Sequence, residues 1–294
     1  MHTLRALFVS SRPLSWVNTA FPFAAAYLTT TREIDLAAVV GTLYFLVPYN
    51  LAMYGINDVF DYASDLRNPR KGGVEGALLD PRWHRLVLWL SGILALPFVV
   101  YLVIVGNPES WAALAVSLFA VVAYSAAGLR FKERPVLDSL TSSTHFVSPA
   151  VYGLLLAGAT WTPALFALLV AFFLWGAASH AFGAVQDVVA DREGGIDSIA
   201  TVIGARRAVR LSVVLYLLAG ILLLATDWPG PIAAVFALPY VVNALPWWRV
   251  TDETAPTANR GWRRFLWLNF ATGFGVTMLL IAYALLEPSA PCAC

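Results

Sequence analysis

Cysteine is nearly absent. The chain has 2 cysteines, Cys292 and Cys294, at its very end, so no disulfide framework and no thiolate metal site is available. The closing Cys-Ala-Cys does not fit a prenylation box either. Charge is scarce as well: 13% of residues are charged against 59% hydrophobic, with a mean hydropathy of +0.70. An ordinary soluble domain carries roughly 25% charged residues, so a soluble globular fold is excluded. No phosphate-binding glycine loop, Ser-His-Asp arrangement or nucleic-acid patch stands out, and no nucleic-acid partner is expected. Low-complexity segments and a separate soluble domain are also missing.

What the sequence does have is apolar blocks of bilayer-crossing length, roughly 17–25 residues each. Hydropathy and helix breakers predict an all-α polytopic membrane protein with nine spans in the lipid bilayer. These lie near 13–30, 37–57, 84–105, 110–128, 141–158, 163–185, 209–226, 230–248 and 264–286, as a single domain over 1–294. Arg5 and Arg12 ahead of the first block imitate a signal peptide, but the spans that follow favour a retained helix. With the N-terminus in the cytoplasm, every Lys and Arg except Arg32 falls on the cytoplasmic side, as the positive-inside rule requires. The outer connections Gly106-Asn107-Pro108-Glu109, Ala159-Thr160-Trp161-Thr162 and Asp227-Trp228-Pro229-Gly230 are short and hold no Lys or Arg. One face is therefore a polar mouth and the other is closed by tight turns.

Two acidic segments end apolar blocks on that polar face. Successive helical residues turn by about 100°, which puts Asn57, Asp58, Asp61 and Asp65 on one arc. Acids at a helix C-terminus oppose the macrodipole and one another. A multivalent cation relieves both, and hard oxygen ligands suit Mg2+. Asp187 and Asp191 repeat the pattern at i,i+4 spacing, whereas Glu193 and Asp197 are expected in a loop. A solvated acidic loop is the plain alternative for either segment taken alone. Two segments on one membrane face point instead to a site for Mg2+ and a diphosphate.

Asn57-Asp58-x-x-Asp61-x-x-x-Asp65 and Asp187-x-x-x-Asp191 resemble the paired motifs of the UbiA superfamily of intramembrane prenyltransferases. The resemblance extends through Arg12-Pro13, Tyr124-Ser125, Arg130-Phe131-Lys132-Glu133-Arg134-Pro135 and the run from Asp191 to Thr201, nearly the whole chain. It implies a nine-helix bundle around a central lipid-accessible cavity, with Mg2+ and a prenyl diphosphate donor at the cytoplasmic mouth. Where many members carry Arg-x-x-Arg-Pro after the first motif, this chain has Asn68-Pro69-Arg70-Lys71-Gly72-Gly73-Val74-Glu75-Gly76. That departure resembles the lycopene elongase branch, which makes C50 carotenoids. A dimethylallyl diphosphate donor and lycopene as acceptor are the implied substrates, and pathway partner proteins are left open.

The resemblance assigns Asp58, Asp61, Asp65, Asp187 and Asp191 as metal ligands, with Asn57 beside them. Arg12, Arg67, Arg70, Lys71, Arg130 and Lys132 are candidates for diphosphate oxygens, the alternative being that they only set topology. Asn50 and His180 share the faces of the two motifs and should point into the bundle, because polar groups in a bilayer are costly. They contact substrate or form interhelical hydrogen bonds. Tyr124 either orients the donor and shields an allylic cation with its π face or is an ordinary interfacial aromatic. Other acceptors remain open: a quinone precursor, a chlorophyllide or a glycerol phosphate. Of the other classes, a membrane transporter with an acidic cation site is disfavoured by the one-sided clustering. A CDP-alcohol phosphotransferase lacks its Asp-x-x-Asp-Gly-x-x-Ala-Arg signature here.

Overall fold

The computed structural model describes residues 3–66 and 78–286. Arg67, Arg70 and Lys71 lie outside the described residues. Secondary structure among those described is helical throughout, as the hydropathy pattern requires. The chain divides into two compact units, Met1–Ala159 with Gly194–Ile196, and Thr160–Glu193 with Asp197–Cys294.

The first unit contains α1 (Thr3–Ser10), α2 (Val17–Thr31), α3 (Leu36–Leu46), α4 (Pro48–Phe60), α5 (Tyr62–Asp65), α6 (His84–Val105), α7 (Pro108–Ser125) and α8 (Leu137–Leu156). Helix α2 packs on α3 and α8, α7 on α8, and α4 on α6. Their core is aromatic: the Phe23 ring lies 5.3 Å from Phe45 and 6.0 Å from Tyr152, and Phe45 lies 5.2 Å from Tyr49. Local signals set the helix starts. Asp35 caps the Ala38 amide, and Asn107 and Ser110 form a reciprocal capping box ahead of α7 with Pro108 in its first turn.

The expected span 37–57 lies in a stretch, Leu36–Phe60, long and apolar enough to cross a membrane, but as two helices that meet at Val47–Pro48. Pro48 lacks an N–H and cannot continue the ladder of α3. The carbonyls left over at the end of α3 are satisfied from within. Thr19 Oγ1 donates to the Phe45 carbonyl at 2.7 Å, and Asn50 Nδ2 reaches the Phe45 and Leu46 carbonyls at 2.8 and 3.1 Å.

The second unit contains α9 (Pro163–Val185), α10 (Val188–Gly194, whose last residue falls in the first unit), α11 (Ile199–Ile203), α12 (Ala205–Leu223), α13 (Leu238–Ala244) and α14 (Asn259–Leu286). Helices α9 and α12 pack on each other, and both bury small residues, Ala171, Ala178 and Ala181 on α9 and Ala208, Ser212 and Ala219 on α12, the composition that lets membrane helices approach closely. Aromatic rings fill the rest: Trp262 stacks on Phe265 at 4.8 Å and Tyr216 on Tyr240 at 5.3 Å. Gly261 is a packing requirement, since a Cβ there would lie 2.6 Å from the Trp247 ring. The expected span 230–248 is not one α-helix. It runs as 3-10 turns (Gly230–Ala237), α13, then another 3-10 turn (Leu245–Trp247), with Pro231, Pro239 and Pro246 each opening a piece.

Among the described residues, 6 helical segments are long and apolar enough to cross a membrane. The expected spans near 84–105 and 163–185 coincide with α6 and α9. Three others fall on helices that do not qualify, each for a stated reason. Helix α2 has only 15 residues, α8 is rich in Ser, Thr and His, and α12 opens with Arg206, Arg207 and Arg210. Every element among the described residues is a helix, and these six segments are of membrane-crossing length.

Candidate functional site

Helix α4 carries the first acidic motif and α5 extends it through Asp61. The backbone stays in helical register: Asp61 N donates to the Asn57 carbonyl at 2.9 Å and Asp65 N to the Asp61 carbonyl at 2.8 Å. Asp58, Asp61 and Asp65 therefore share one face, and it is the inward one. They are 0%, 6% and 6% exposed, while Phe60 on the opposite side faces out. Three buried carboxylates on one face require cations nearby.

Those cations come from the segments the sequence singled out. Arg12 Nη2 lies 2.9 Å from Asp58 Oδ1, and its guanidinium sits 4.3 Å over the Tyr54 ring. Lys132 forms an ion pair with Asp61, and Arg130 Nη2 lies 3.8 Å from the same carboxylate. Asn57 Nδ2 donates to Asp61 Oδ2 at 2.8 Å and to Ser125 Oγ at 3.0 Å, which ties the motif to the end of α7. Arg130 also pairs with Glu133, whose carboxyl that hydrogen bond holds below the usual carboxylate range. Arg12 and Arg130 have φ of 48° and 43°. Left-handed backbone is uncommon for such residues and tends to concentrate at functional turns.

Tyr124, one residue before Ser125, meets the His145 ring edge-on at 5.4 Å. His145 Nδ1 lies 3.4 Å from the Tyr49 hydroxyl, which accepts from Ser117, and Ser117 in turn accepts from Ser148. Asn50 is fully buried and gives its amide to Thr19, Phe45 and Leu46. This is the interhelical hydrogen bonding that the sequence offered as the alternative to substrate contact. Asp138 was not anticipated. It is fully buried in the first turn of α8, where an acid reads from sequence as an ordinary helix start.

In the second unit α9 ends at Val185, Gln186 and Asp187 turn, and α10 resumes with Asp191. The Asp191 amide donates to the Asp187 carbonyl at 2.8 Å, so the i,i+4 relation holds across the break. Glu193, expected in a loop, lies inside α10. His180 is half-buried on α9. The motif is gripped from both sides, by Asn259 on Gln186 and by Asp252 on Arg192.

The chemistry of these donors fits a hard divalent cation. Among the described residues no three His, Cys, Asp or Glu side chains form a closed metal cage. Mg2+ seldom uses one, taking one or two carboxylates and completing its shell with water and substrate phosphates. Carboxylates that now face Arg and Lys are of the right kind.

Comparison with known proteins follows the same line. A model of the UbiA prenyltransferase family matches residues 19–286. A lycopene elongase/hydratase of Corynebacterium glutamicum is 55% identical over 96% of this chain and 98% of its own. A C(50) beta-cyclic carotenoids biosynthesis protein of Dietzia is 57% identical over 95% of this chain and 65% of its own. Of solved structures, a UbiA homolog from Archaeoglobus fulgidus bound to GPP and Mg2+ superposes with a TM-score of 0.69 at 21% identity, covering 91% of this chain and 99% of that one.

Proposed function

The chain belongs to the UbiA prenyltransferase family, and from that premise we propose that it transfers a C5 prenyl group from dimethylallyl diphosphate to lycopene at the cytoplasmic face of the cell membrane. That it is a membrane prenyltransferase of carotenoid biosynthesis follows from the family and its relatives, which sets aside the cation transporter. Donor, acceptor, metal and sidedness are the proposal.

One observation carries it: the buried acidic face of Asp58, Asp61 and Asp65 is met by Arg12, Arg130 and Lys132. Carboxylates and cations alternate there, the pattern that a metal–diphosphate pair would complete. Mg2+, when bound, supplies the positive charge that stabilises a departing diphosphate. Asp58, Asp61, Asp65, Asp187 and Asp191 are the residues that would hold it, acting as ligands and not as general acids. Arg12, Arg130 and Lys132 take phosphate oxygens. Asn57 fixes the rotamer of Asp61, and Tyr124 would orient the donor or shield an allylic cation with its π face. The apolar interior excludes water while the allylic C–O bond breaks. The terminal double bond of lycopene then forms the new C–C bond, and the tertiary cation closes by losing a proton or gaining water.

Expression in a lycopene-accumulating bacterium tests this reading. Products heavier than lycopene by one or two C5 units support it. Mass spectrometry must decide, because the chromophore is untouched. Unchanged lycopene, with donor and protein both present, would redirect the reading to a quinone precursor, a chlorophyllide or a glycerol phosphate.

A further inference from the structure

The connection 248–258, between the 3-10 turn at Leu245–Trp247 and α14, and the residue that opens α14, Asn259, carry none of the motifs that define the site. They nevertheless supply a partner to each end of the second acidic segment. Asn259 Nδ2 donates to Gln186 Oε1 at 2.6 Å, immediately before Asp187. Arg192 Nη1 pairs with Asp252 Oδ2 at 2.6 Å, immediately after Asp191. The grip is doubly tied at the Arg192 end. Its Nη2 donates to the Thr201 carbonyl at 2.7 Å, and Asp252 Oδ1 accepts from the Ala205 amide at 2.8 Å. One connection thus fixes α10 against the starts of α11 and α12.

Such a clamp has a use. Gln186 and Asp187 form a turn between α9 and α10, and a turn lets the following helix swing unless something holds it. Two anchors flanking Asp187 and Asp191 fix the rotation of α10, and with it the direction of both carboxylates. Arg192 is held by Asp252 and the Thr201 carbonyl, neither of them a proposed metal ligand, whereas Arg12 and Lys132 pair with aspartates that are.

We propose that Asp252, Asn259, Arg192 and Gln186 are positioning residues for the metal-binding face of Asp187 and Asp191. This rests on the reading of those two aspartates as ligands of the diphosphate's metal. Residues that orient metal ligands typically cost 10–100-fold in metal affinity when removed.

The test uses the full chain in nanodiscs and the non-reacting analogue dimethylallyl S-thiolodiphosphate. Calorimetry reads the Mg2+ concentration at which analogue binding is half-maximal. Asn259→Ala and Asp252→Asn should each raise it about tenfold, and Asp252→Glu, which keeps the charge, should recover most of the loss. A merely structural role would lower thermal stability without moving the Mg2+ half-point. If Asp191→Asn abolishes analogue binding while Asn259→Ala leaves the half-point unchanged, the clamp is wrong and the ligand assignment stands. If Asp191→Asn binds normally, the ligand assignment fails and the clamp with it.

Discussion

The guanidinium of Arg12 lies 2.9 Å from the carboxylate of Asp58, which is fully buried. This pair joins the turn before α2 to the acidic face of α4, so the residues proposed to take diphosphate and metal hold each other in place. Each can serve the site only if the pair opens or is shared when the donor arrives.

Removing half of it should be costly. Arg12→Ala removes the guanidinium partner of a buried carboxylate, a loss of about 3–5 kcal/mol. Denaturant unfolding in mixed micelles should show it. Arg12→Ala/Asp58→Ala should recover most of that stability and none of the activity.

Loss of a ligand carboxylate should act on chemistry. Asp61→Ala or Asp191→Ala should reduce prenyl transfer by at least about 100-fold, the size of losing one preorganised electrostatic contact. Membrane insertion should be unaffected. Product analysis by mass spectrometry on membranes of matched protein content checks this, and near-normal turnover in either variant would contradict the ligand role.

Asn50 separates a substrate role from a structural one. Its amide serves Thr19 and two carbonyls at the α3–α4 break. Asn50→Ala should therefore lower stability by about 1–3 kcal/mol, the cost of stranding buried polar groups, with donor KM little changed. A raised donor KM at unchanged stability would reverse that assignment.

The acid limit of stability should involve Asp252. The Ala205 amide and the Arg192 guanidinium hold its carboxyl below the ordinary value of 3.8. The unfolded chain then takes up this proton at higher pH than the fold does. The stabilisation is complete above the ordinary value and is lost as pH falls through the lower folded one. Thermal midpoints should decline below about pH 4, and Asp252→Asn should flatten part of that decline.

How much of this was legible in the sequence depends on the reach of each signal. Helices α6 and α9 were readable to the residue because Gly106-Asn107-Pro108 ends α6 and Thr162-Pro163 starts α9. The buried face of Asp58, Asp61 and Asp65 was readable because helical rotation alone puts them together. The break at Val47–Pro48 was hidden because hydropathy does not change across it, although Pro48 was in plain view. The run from Gly230 to Trp247 is long and apolar enough to cross a membrane, and its 3-10 pieces were hidden for the same reason. Arg192 with Asp252 was invisible, since 60 positions separate the partners and only tertiary packing unites them. Lys132 with Asp61 was anticipated as a neighbourhood, through the family resemblance, but not as an ion pair.

The seam between α3 and α4 has a bearing on product identity. A helix interrupted inside an apolar layer exposes carbonyls that would ordinarily draw solvent inward, one molecule hydrating the next. Here Asn50 and Thr19 quench that thirst with side chains. The interruption can bend the chain without opening a wet path, which under the proposed reaction helps to keep water from an allylic cation.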